Sequence, residues 1–308
     1  MSLPFDLTLL GVNAATPAFD RHPSAQVLCI QEHYFLIDCG EGTQMQMLKY
    51  GVKRNKINHI FISHLHGDHI FGLVGLLTSY GLNGRLAPLD IFSPAGLQEM
   101  IDVQVRYAGG GLPYPVRFHE VNCSESAIVF ENDQLTVRSI PLEHRVPTSG
   151  YLFKEKWRPR NMRPEKIQAY QIHFSEIPGI KAGADFTLPD GTVIPNAELT
   201  FDPPTPRSFA YCSDTRYTET IIPIIKGVDL LYHESTFCTE FQEQAELSMH
   251  STAKEAATIA KKAGVKKLLL GHYSSRYREL DPFVEEAKSI FQESYLGEEG
   301  ATHVVPLN

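Results

Sequence analysis

Short apolar runs recur along the chain, and five of them stop at a residue able to bind metal. "HIFIS" is followed by His64, "LTVRSIPLE" by His144, "SFAYCS" by Asp214, "VDLLY" by His233 and Glu234, and "KKLLLG" by His272. The first four are rich in β-branched or aromatic residues and short enough to predict strands; the fifth is assigned by its length and its neighbours. Upstream, "FDLTLLG", "AQVLCIQ" and "HYFLIDCG" predict hairpin-forming strands of the same body. Helices are predicted over 43–50, 69–80, 94–107, 218–226, 252–263 and 282–294. The clearest, "STAKEAATIAKKAG", has Thr252 and Glu255 spaced as a capping box and Gly264 as a stop. Asp281 before Pro282 is expected to open the last helix. Strands and helices mixed in this way, with few regular βαβ alternations, predict two packed sheets with helices outside. Strand ends sharing one rim would then bring the polar residues together.

One segment breaks the pattern. Residues 153–206 carry eight prolines, little apolar periodicity and a basic start. They are expected to form an insertion into a single domain spanning 1–308 rather than a second core. At 308 residues and 43% apolar composition, the chain is long enough to bury a substantial core. No apolar stretch approaches the length of a membrane span, and the first residues lack a secretory leader, so a cytoplasmic protein is expected. Five cysteines without C-x-x-C spacing suggest neither a disulfide framework nor a thiolate zinc site. A formal charge of −8 argues against nucleic-acid binding over the whole surface but leaves room for a local basic patch.

The stretch "FISHLHGDHIFG" concentrates the chemistry. His64, His66, Asp68 and His69 lie within six positions on a tight turn between a strand and a helix, with Gly67 letting the turn close. Borderline metals such as zinc favour neutral imidazole with some carboxylate, and catalysis needs an open position for water. A polar loop with chance histidines is the competing reading, but four ligand-type residues at one strand end are far more specific than a lone histidine. His144, Asp214 and His272 are candidates for completing the set. Each alone could be an ordinary capped or surface residue.

The order H-x-H-x-D-H, then single His, Asp and His, resembles the metallo-β-lactamase superfamily. More closely, "LLGVNAATP", "FLIDCGEGTQMQML", "FISHLHGDHIFGLVGLL", "YCSDTRYTE", "LLYHESTF", "MHSTAKEAA" and "LLLGHYSSRY" resemble its ribonuclease Z branch, endonucleases that mature tRNA 3′ ends. The resemblance runs nearly end to end. It implies a four-layer αββα sandwich, which agrees with the mixed α/β reading above, and two zinc ions. It assigns His64, His66 and His144 to one zinc and Asp68, His69 and His272 to the other, with Asp214 bridging. Such a pair of cations can activate water and stabilise both the attacking and the leaving oxygens of a phosphodiester.

The resemblance further implies that Asp68 orients or deprotonates the attacking water and that His250 supplies a proton to the leaving group. His250 also immediately precedes a predicted helix start, an environment that suits a phosphate. Glu234 is expected to orient His250 through a carboxylate–imidazole hydrogen bond, with His233 as structural support. Lys154, Lys156, Trp157, Arg158, Arg160, Arg163 and Lys166, in "KEKWRPRNMRPEK", would bind backbone phosphates and stack on a base or sugar. In ribonuclease Z a protruding arm grips the tRNA body, and this segment occupies the corresponding place; a solvated loop is the alternative. Precursor tRNA is the expected partner, together with a second copy of the chain.

Two departures from the family pattern stand out. The insertion offers "IPGIKAGADF" where a Gly-Pro motif is common. The loop "PAFDRH", residues 17–22, replaces P-x-K-x-R-N, which puts discrimination against precursors that already encode CCA in doubt. Two other functions compete. A dinuclear hydrolase of small esters or phosphodiesters would be indifferent to the arm. A non-catalytic RNA-binding protein would have no need of the complete ligand set or of His250.

Overall fold

The computed structural model describes residues 3–307, in two compact units: residues 3–154 with Arg207–Pro306, and Glu155–Pro206 with Leu307. The larger unit begins with strands β1 (Phe5–Gly11), β2 (Ala25–Ile30) and β3 (His33–Ile37). Helix α1 (Thr43–Lys49) leads to β4 (Ile57–Phe61), and α2 (Gly67–Ile70) and α3 (Leu73–Leu82) to β5 (Leu89–Ser93). Helix α4 (Leu97–Tyr107) precedes β6 (Val116–Glu120). Next come β7 (Ile128–Glu131), β8 (Leu135–Pro141) and β9 (Ser149–Glu155).

The smaller unit holds two short strand pairs, β10 (Asn161–Met162) with β13 (Thr200–Phe201) and β11 (Phe186–Thr187) with β12 (Val193–Ile194). Its helices are α5 (Pro164–Ala169), α6 (Ile177–Lys181) and α7 (Asn196–Leu199). The chain then returns to the larger unit through β14 (Ser208–Cys212) and β15 (Leu230–Glu234). Helices α8 (Gln242–Ser248) and α9 (Ala253–Ala263), strand β16 (Leu268–Gly271) and helix α10 (Asp281–Lys288) follow. Strands β17 (Ser294–Leu296) and β18 (Thr302–Val304) complete it.

Two seven-stranded sheets result, in the orders β18-β1-β2-β3-β4-β5-β6 and β17-β16-β15-β14-β9-β8-β7. The inner faces of the strands explain the pairing. Phe5, Leu7 and Leu9 of β1, Phe35 and Ile37 of β3 and Phe61 of β4 share one buried cluster with Val137, Phe153, Phe209, Tyr211 and Leu269 of the second sheet. Alternate residues of the first sheet, among them Val27, Leu36 and Ile60, pack on the other face against Met47 of α1, Leu76 and Leu77 of α3 and Ile101 of α4. The period of two thus serves two apolar layers at once. Alanines of α9 cover the second sheet, and the capping box between Thr252 and Glu255 is present with Gly264 as the left-handed stop. The mixed α/β reading and the two-sheet sandwich hold.

Several boundaries differ from expectation. The segment 218–226 forms only a 3-10 turn at Glu219–Ile221, because Pro223 follows within two residues. The last helix ends at Lys288 rather than 294, and Ser294–Leu296 instead joins β16 as a parallel strand. Leu280, not Asp281, takes the N-cap position of that helix, and no side chain caps it. The segment predicted as one helix over 69–80 is two, α2 and α3, broken at Phe71 and Gly72. A Cβ on Gly72 would lie 2.2 Å from the Gly40 carbonyl oxygen, so the chain can cross the β3–α1 loop there only without a side chain. Phe153 is fully buried in β9 and Lys154 belongs to the larger unit, so the smaller unit starts two residues later than expected. It also has a small core of its own, Ile172, Ile180, Ile194 and Leu199.

Candidate active site

Parallel pairing sets the ends of three strands level. Cys212 of β14 lies opposite His233 of β15, and Glu234 lies opposite Gly271 of β16. The residues that leave those ends, Asp214 and His272, both take left-handed backbone (φ 60° and 58°), as does Asp38 just after β3 (φ 56°). Such conformations are uncommon outside glycine and cluster where a site demands them. Across the sandwich, Ser149 N–H donates to the Ser63 carbonyl (3.0 Å) and the Tyr151 hydroxyl to that of Ile62 (2.7 Å), which fixes the β4–α2 loop against the second sheet.

The seven predicted metal-binding side chains converge on one place. His64, His66, His144 and Asp214 each offer a ligand atom within 4.8 Å of the others, and so do Asp68, His69 and His272. Asp214 joins the groups. Its Oδ1 lies 3.7 Å from His64 Nε2 and 3.9 Å from His144 Nε2, and its Oδ2 lies 3.1 Å from His69 Nε2 and 3.3 Å from His272 Nε2.

For four of the rings a partner on the far side fixes which nitrogen faces inward. His69 Nδ1 donates to Asp38 Oδ2 (2.7 Å), His144 Nδ1 to the Met249 carbonyl (3.0 Å), and His272 Nδ1 meets the Thr236 hydroxyl (2.9 Å). His64 Nδ1 meets the Ser63 hydroxyl at 3.1 Å. The inward Nε2 atoms of His69 and His272 are buried without a hydrogen-bond partner, yet both face carboxylate oxygens of Asp68 and Asp214. Imidazole nitrogens without a hydrogen-bond partner and acceptor-only carboxylates facing one another suit a shared cation, a proton or a metal ion. A His/Asp cluster of this kind could bind metal ions.

Electrostatics agree. Burial disfavours a charged His64, and the charge of neighbouring His69 adds to this, holding its ring neutral as a ligand must be. Without metal, His69 is the exception: burial opposes its charge, but Asp214, Asp38 and Asp68 together hold it protonated. Burial likewise works against an ionised Asp214, and His272 and then His69 overcome it. Protons thus stand in for the missing positive charge in the metal-free protein.

Glu234 and His250 lie beside this cluster. The fully buried Glu234 carboxylate accepts from His250 Nδ1 (2.7 Å), Thr215 N (2.8 Å), Ser251 N (3.1 Å), Thr236 N (3.2 Å) and Thr236 Oγ (2.6 Å). Burial disfavours a protonated His250, but Glu234 outweighs it and lifts the pKa of the metal-free ring to about 9. His250 Nδ1 lies 3.9 Å from Asp214 Oδ1, and His250, Asp214 and His272 form a third group of ligand-type side chains. Nδ1, which donates to Glu234 at 2.7 Å, has no lone pair to give a metal. His233 is buried, and its Nδ1 donates to the neighbouring Glu234 carbonyl (2.8 Å).

Sequence reading missed three supports. Asp38 is fully buried and takes hydrogen bonds from Ser63 N–H (2.7 Å), Ser63 Oγ (2.9 Å), His69 and the Tyr211 hydroxyl (2.6 Å). It follows an apolar strand, the same signal that marks Asp214, and could have been found that way. Arg216 bonds Glu143 (Nε–Oε2 2.7 Å), tying the loop of His144 to the loop of Asp214. Thr236 touches both His272 and Glu234. The loop 17–22 closes a two-residue turn between Ala18 and Arg21, with Phe19 and Asp20 both left-handed and Phe19 exposed beneath the Arg21 guanidinium. Near its start, Ala15 N–H donates to Asp68 Oδ2 (2.7 Å).

The basic cluster is less free than its sequence suggests. Arg158 pairs with Glu155 (3.1 Å), Arg160 with Asp202, and Lys166 with Glu198 (2.6 Å), while Arg163 donates to the Thr200 carbonyl (3.1 Å). Residues 155–206 hold six Lys or Arg against seven Asp or Glu, so the smaller unit carries no net positive charge. Trp157 is 69% exposed and lines a cavity of about 740 Å³ with Arg158, Arg160, Ile177, Pro178 and Lys181. Lys154 is exposed on β9.

Comparison with known proteins gives consistent results. A ribonuclease Z of Porphyromonas gingivalis is 45% identical over 288 residues, covering 94% of this chain and 95% of that protein. Another from Parabacteroides distasonis is 45% identical over 296 residues, covering 96% and 97%. The crystal structure of the short form of human tRNase Z superposes with a TM-score of 0.71 at 28% identity, covering 98% of this chain and 99% of that one. The metallo-β-lactamase fold protein YhfI from Bacillus subtilis, at 19% identity, a TM-score of 0.69 and coverage of 98% and 100%, shares the fold. Residues 5–146 also match the family model described as anti-Pycsar protein Apyc1, which spans less than half of the chain.

Proposed function

Since the chain belongs to the ribonuclease Z family and has the metallo-β-lactamase fold, we propose that it is an endoribonuclease that removes the 3′ trailer from precursor tRNA with a dinuclear zinc centre. The observation that carries this reading is the convergence of seven ligand-type side chains around Asp214, with the Glu234–His250 pair alongside. Imidazole and carboxylate donors without a thiolate suit zinc. His64, His66 and His144 would hold one ion and Asp68, His69 and His272 the other, with Asp214 between. When bound, the ions supply Lewis acidity to the phosphodiester and make water acidic enough to attack at neutral pH.

The chain's own groups do the rest. Asp68, whose Oδ2 is held by Ala15 N–H, orients the attacking water and takes its proton. As the phosphorus–O3′ bond breaks, His250, oriented by Glu234, gives a proton to the departing O3′. The tRNA then ends in a 3′-hydroxyl and the trailer begins with a 5′-phosphate. The smaller unit serves as the substrate-binding arm, through Trp157 stacking on a base and through Lys156, Arg158, Arg160, Arg163 and Lys166 near the backbone, and Lys154 on β9 of the larger unit is a further backbone contact. A homodimer is supported by apolar side chains left exposed on the outer helices, Met45 and Leu48 on α1, Leu82 on α3 and Val103 and Tyr107 on α4. Acting on precursor tRNA, the protein would work in the cytoplasm, where that substrate is found.

The test is cleavage of a precursor tRNA with a 3′ trailer by zinc-loaded protein, with products mapped to the nucleotide and Asp68→Ala as control. One cut after the discriminator base, absent in the variant, is the expected result. Intact RNA alongside turnover of a small activated phosphodiester would overturn the substrate assignment. In the same assay Trp157→Ala is expected to raise KM about 5- to 160-fold with kcat unchanged, since stacking on one base contributes ~1–3 kcal/mol. An unchanged KM would remove Trp157 from the binding surface.

A further inference from the structure

Thr236 stands between the metal cluster and the proton donor, and its hydrogens can be assigned by elimination. Its Oγ lies 2.6 Å from Glu234 Oε2, and an ionised carboxylate only accepts, so the hydroxyl proton points to Glu234. The same oxygen lies 2.9 Å from His272 Nδ1 and can then only accept, so that nitrogen carries a proton. His272 is left with a bare Nε2, the buried atom without a partner that faces Asp68 and Asp214. His250 Nδ1, 3.3 Å from the hydroxyl, is closer to Glu234 Oε1 and donates there. One carboxylate therefore orders two imidazoles, His250 directly and His272 through Thr236.

We propose that Thr236 is a positioning residue that locks His272 in its metal-binding tautomer and couples that ligand to the Glu234–His250 pair. The inference rests on the dinuclear reading above, but not on the identity of the RNA. The local fold explains why a threonine sits there. Thr236 follows β15 by two residues, its own N–H donates to Glu234 Oε2 (3.2 Å) and its carbonyl accepts from Ser274 N–H (3.1 Å). The β15 exit and the loop after His272 thus hold the hydroxyl between the two rings. Serine can reproduce the bonds; valine fills the same space and can make neither.

The experiment compares Thr236→Val and Thr236→Ser with the parent in three measurements. These are zinc affinity by competition with a chelator, kcat and KM on a trailer-bearing precursor tRNA, and the thermal midpoint of the metal-free protein. Thr236→Val is expected to bind zinc 10- to 100-fold more weakly, the usual effect of losing the partner behind a ligating histidine. At saturating zinc it is expected to retain a lower kcat with KM unchanged, and Thr236→Ser is expected to restore both quantities. Parental zinc affinity and kcat in a folded Thr236→Val protein would overturn the proposal. So would a loss that Thr236→Ser fails to restore while its metal-free midpoint matches the parent. If the parent leaves tRNA intact while Thr236→Val still loses zinc affinity, the substrate reading fails and the role of Thr236 stands.

Discussion

Asp214→Ala is expected to lower kcat/KM on precursor tRNA by on the order of 10³-fold or more and to reduce bound zinc below two per chain. The reasoning starts from its position. Both carboxylate oxygens of Asp214 are buried, and its four nearest imidazole nitrogens in the two ligand groups lie between 3.1 and 3.9 Å away. Removing it takes away the carboxylate that lies between the two groups and with it the negative charge that favours cations there. Metal-ion stabilisation of the transition state amounts to several kcal/mol, and each ~1.4 kcal/mol is tenfold in rate, which sets the magnitude. Circular dichroism matching the parent would separate a site effect from misfolding, and a variant that keeps both two zinc ions and activity would remove Asp214 from the bridge.

His250→Ala is the second large effect, and it has a different signature. A positioned general acid contributes about 10²- to 10⁴-fold, so kcat is expected to fall by that range while KM and zinc content stay near parental values. The ring lies outside the two ligand groups, and its Nδ1 is committed to Glu234. A substrate with sulfur in place of the leaving O3′ provides the diagnostic. A thiolate departs without a proton far more readily than an alkoxide, so the variant is expected to regain most of its rate on that substrate. If the sulfur substrate and the ordinary one are slowed equally, His250 acts in some other way than by protonating the leaving group.

Much of this site can be read along the chain because the fold places ligands at strand ends. HLHGDH puts four ligand-type residues on one turn, and Asp214 and His272 follow apolar strands whose parallel pairing makes their ends level. Glu234 was visible as the residue at the end of β15, although its role as a hub for five hydrogen bonds was not. What stays hidden is set by contacts across the sandwich. Asp38 and Tyr211 are 173 positions apart, and only packing brings them together. Thr236 matters because His272, 36 residues away, lies beside it. The smaller unit shows the opposite error: a local run of cations was legible, but the acidic partners Asp202 and Glu198 that answer it lie far along the sequence. Helix ends also failed where a proline or a short parallel strand decided the outcome, as at 218–226 and 294–296.

The central claim is that seven side chains from separate strand ends form one dinuclear centre. Anomalous diffraction at the zinc absorption edge, on crystals of the zinc-loaded protein, tests it most directly. Two peaks are predicted, one among His64, His66 and His144 and one among Asp68, His69 and His272, with Asp214 touching both. A single peak, or peaks away from Asp214, would contradict the account.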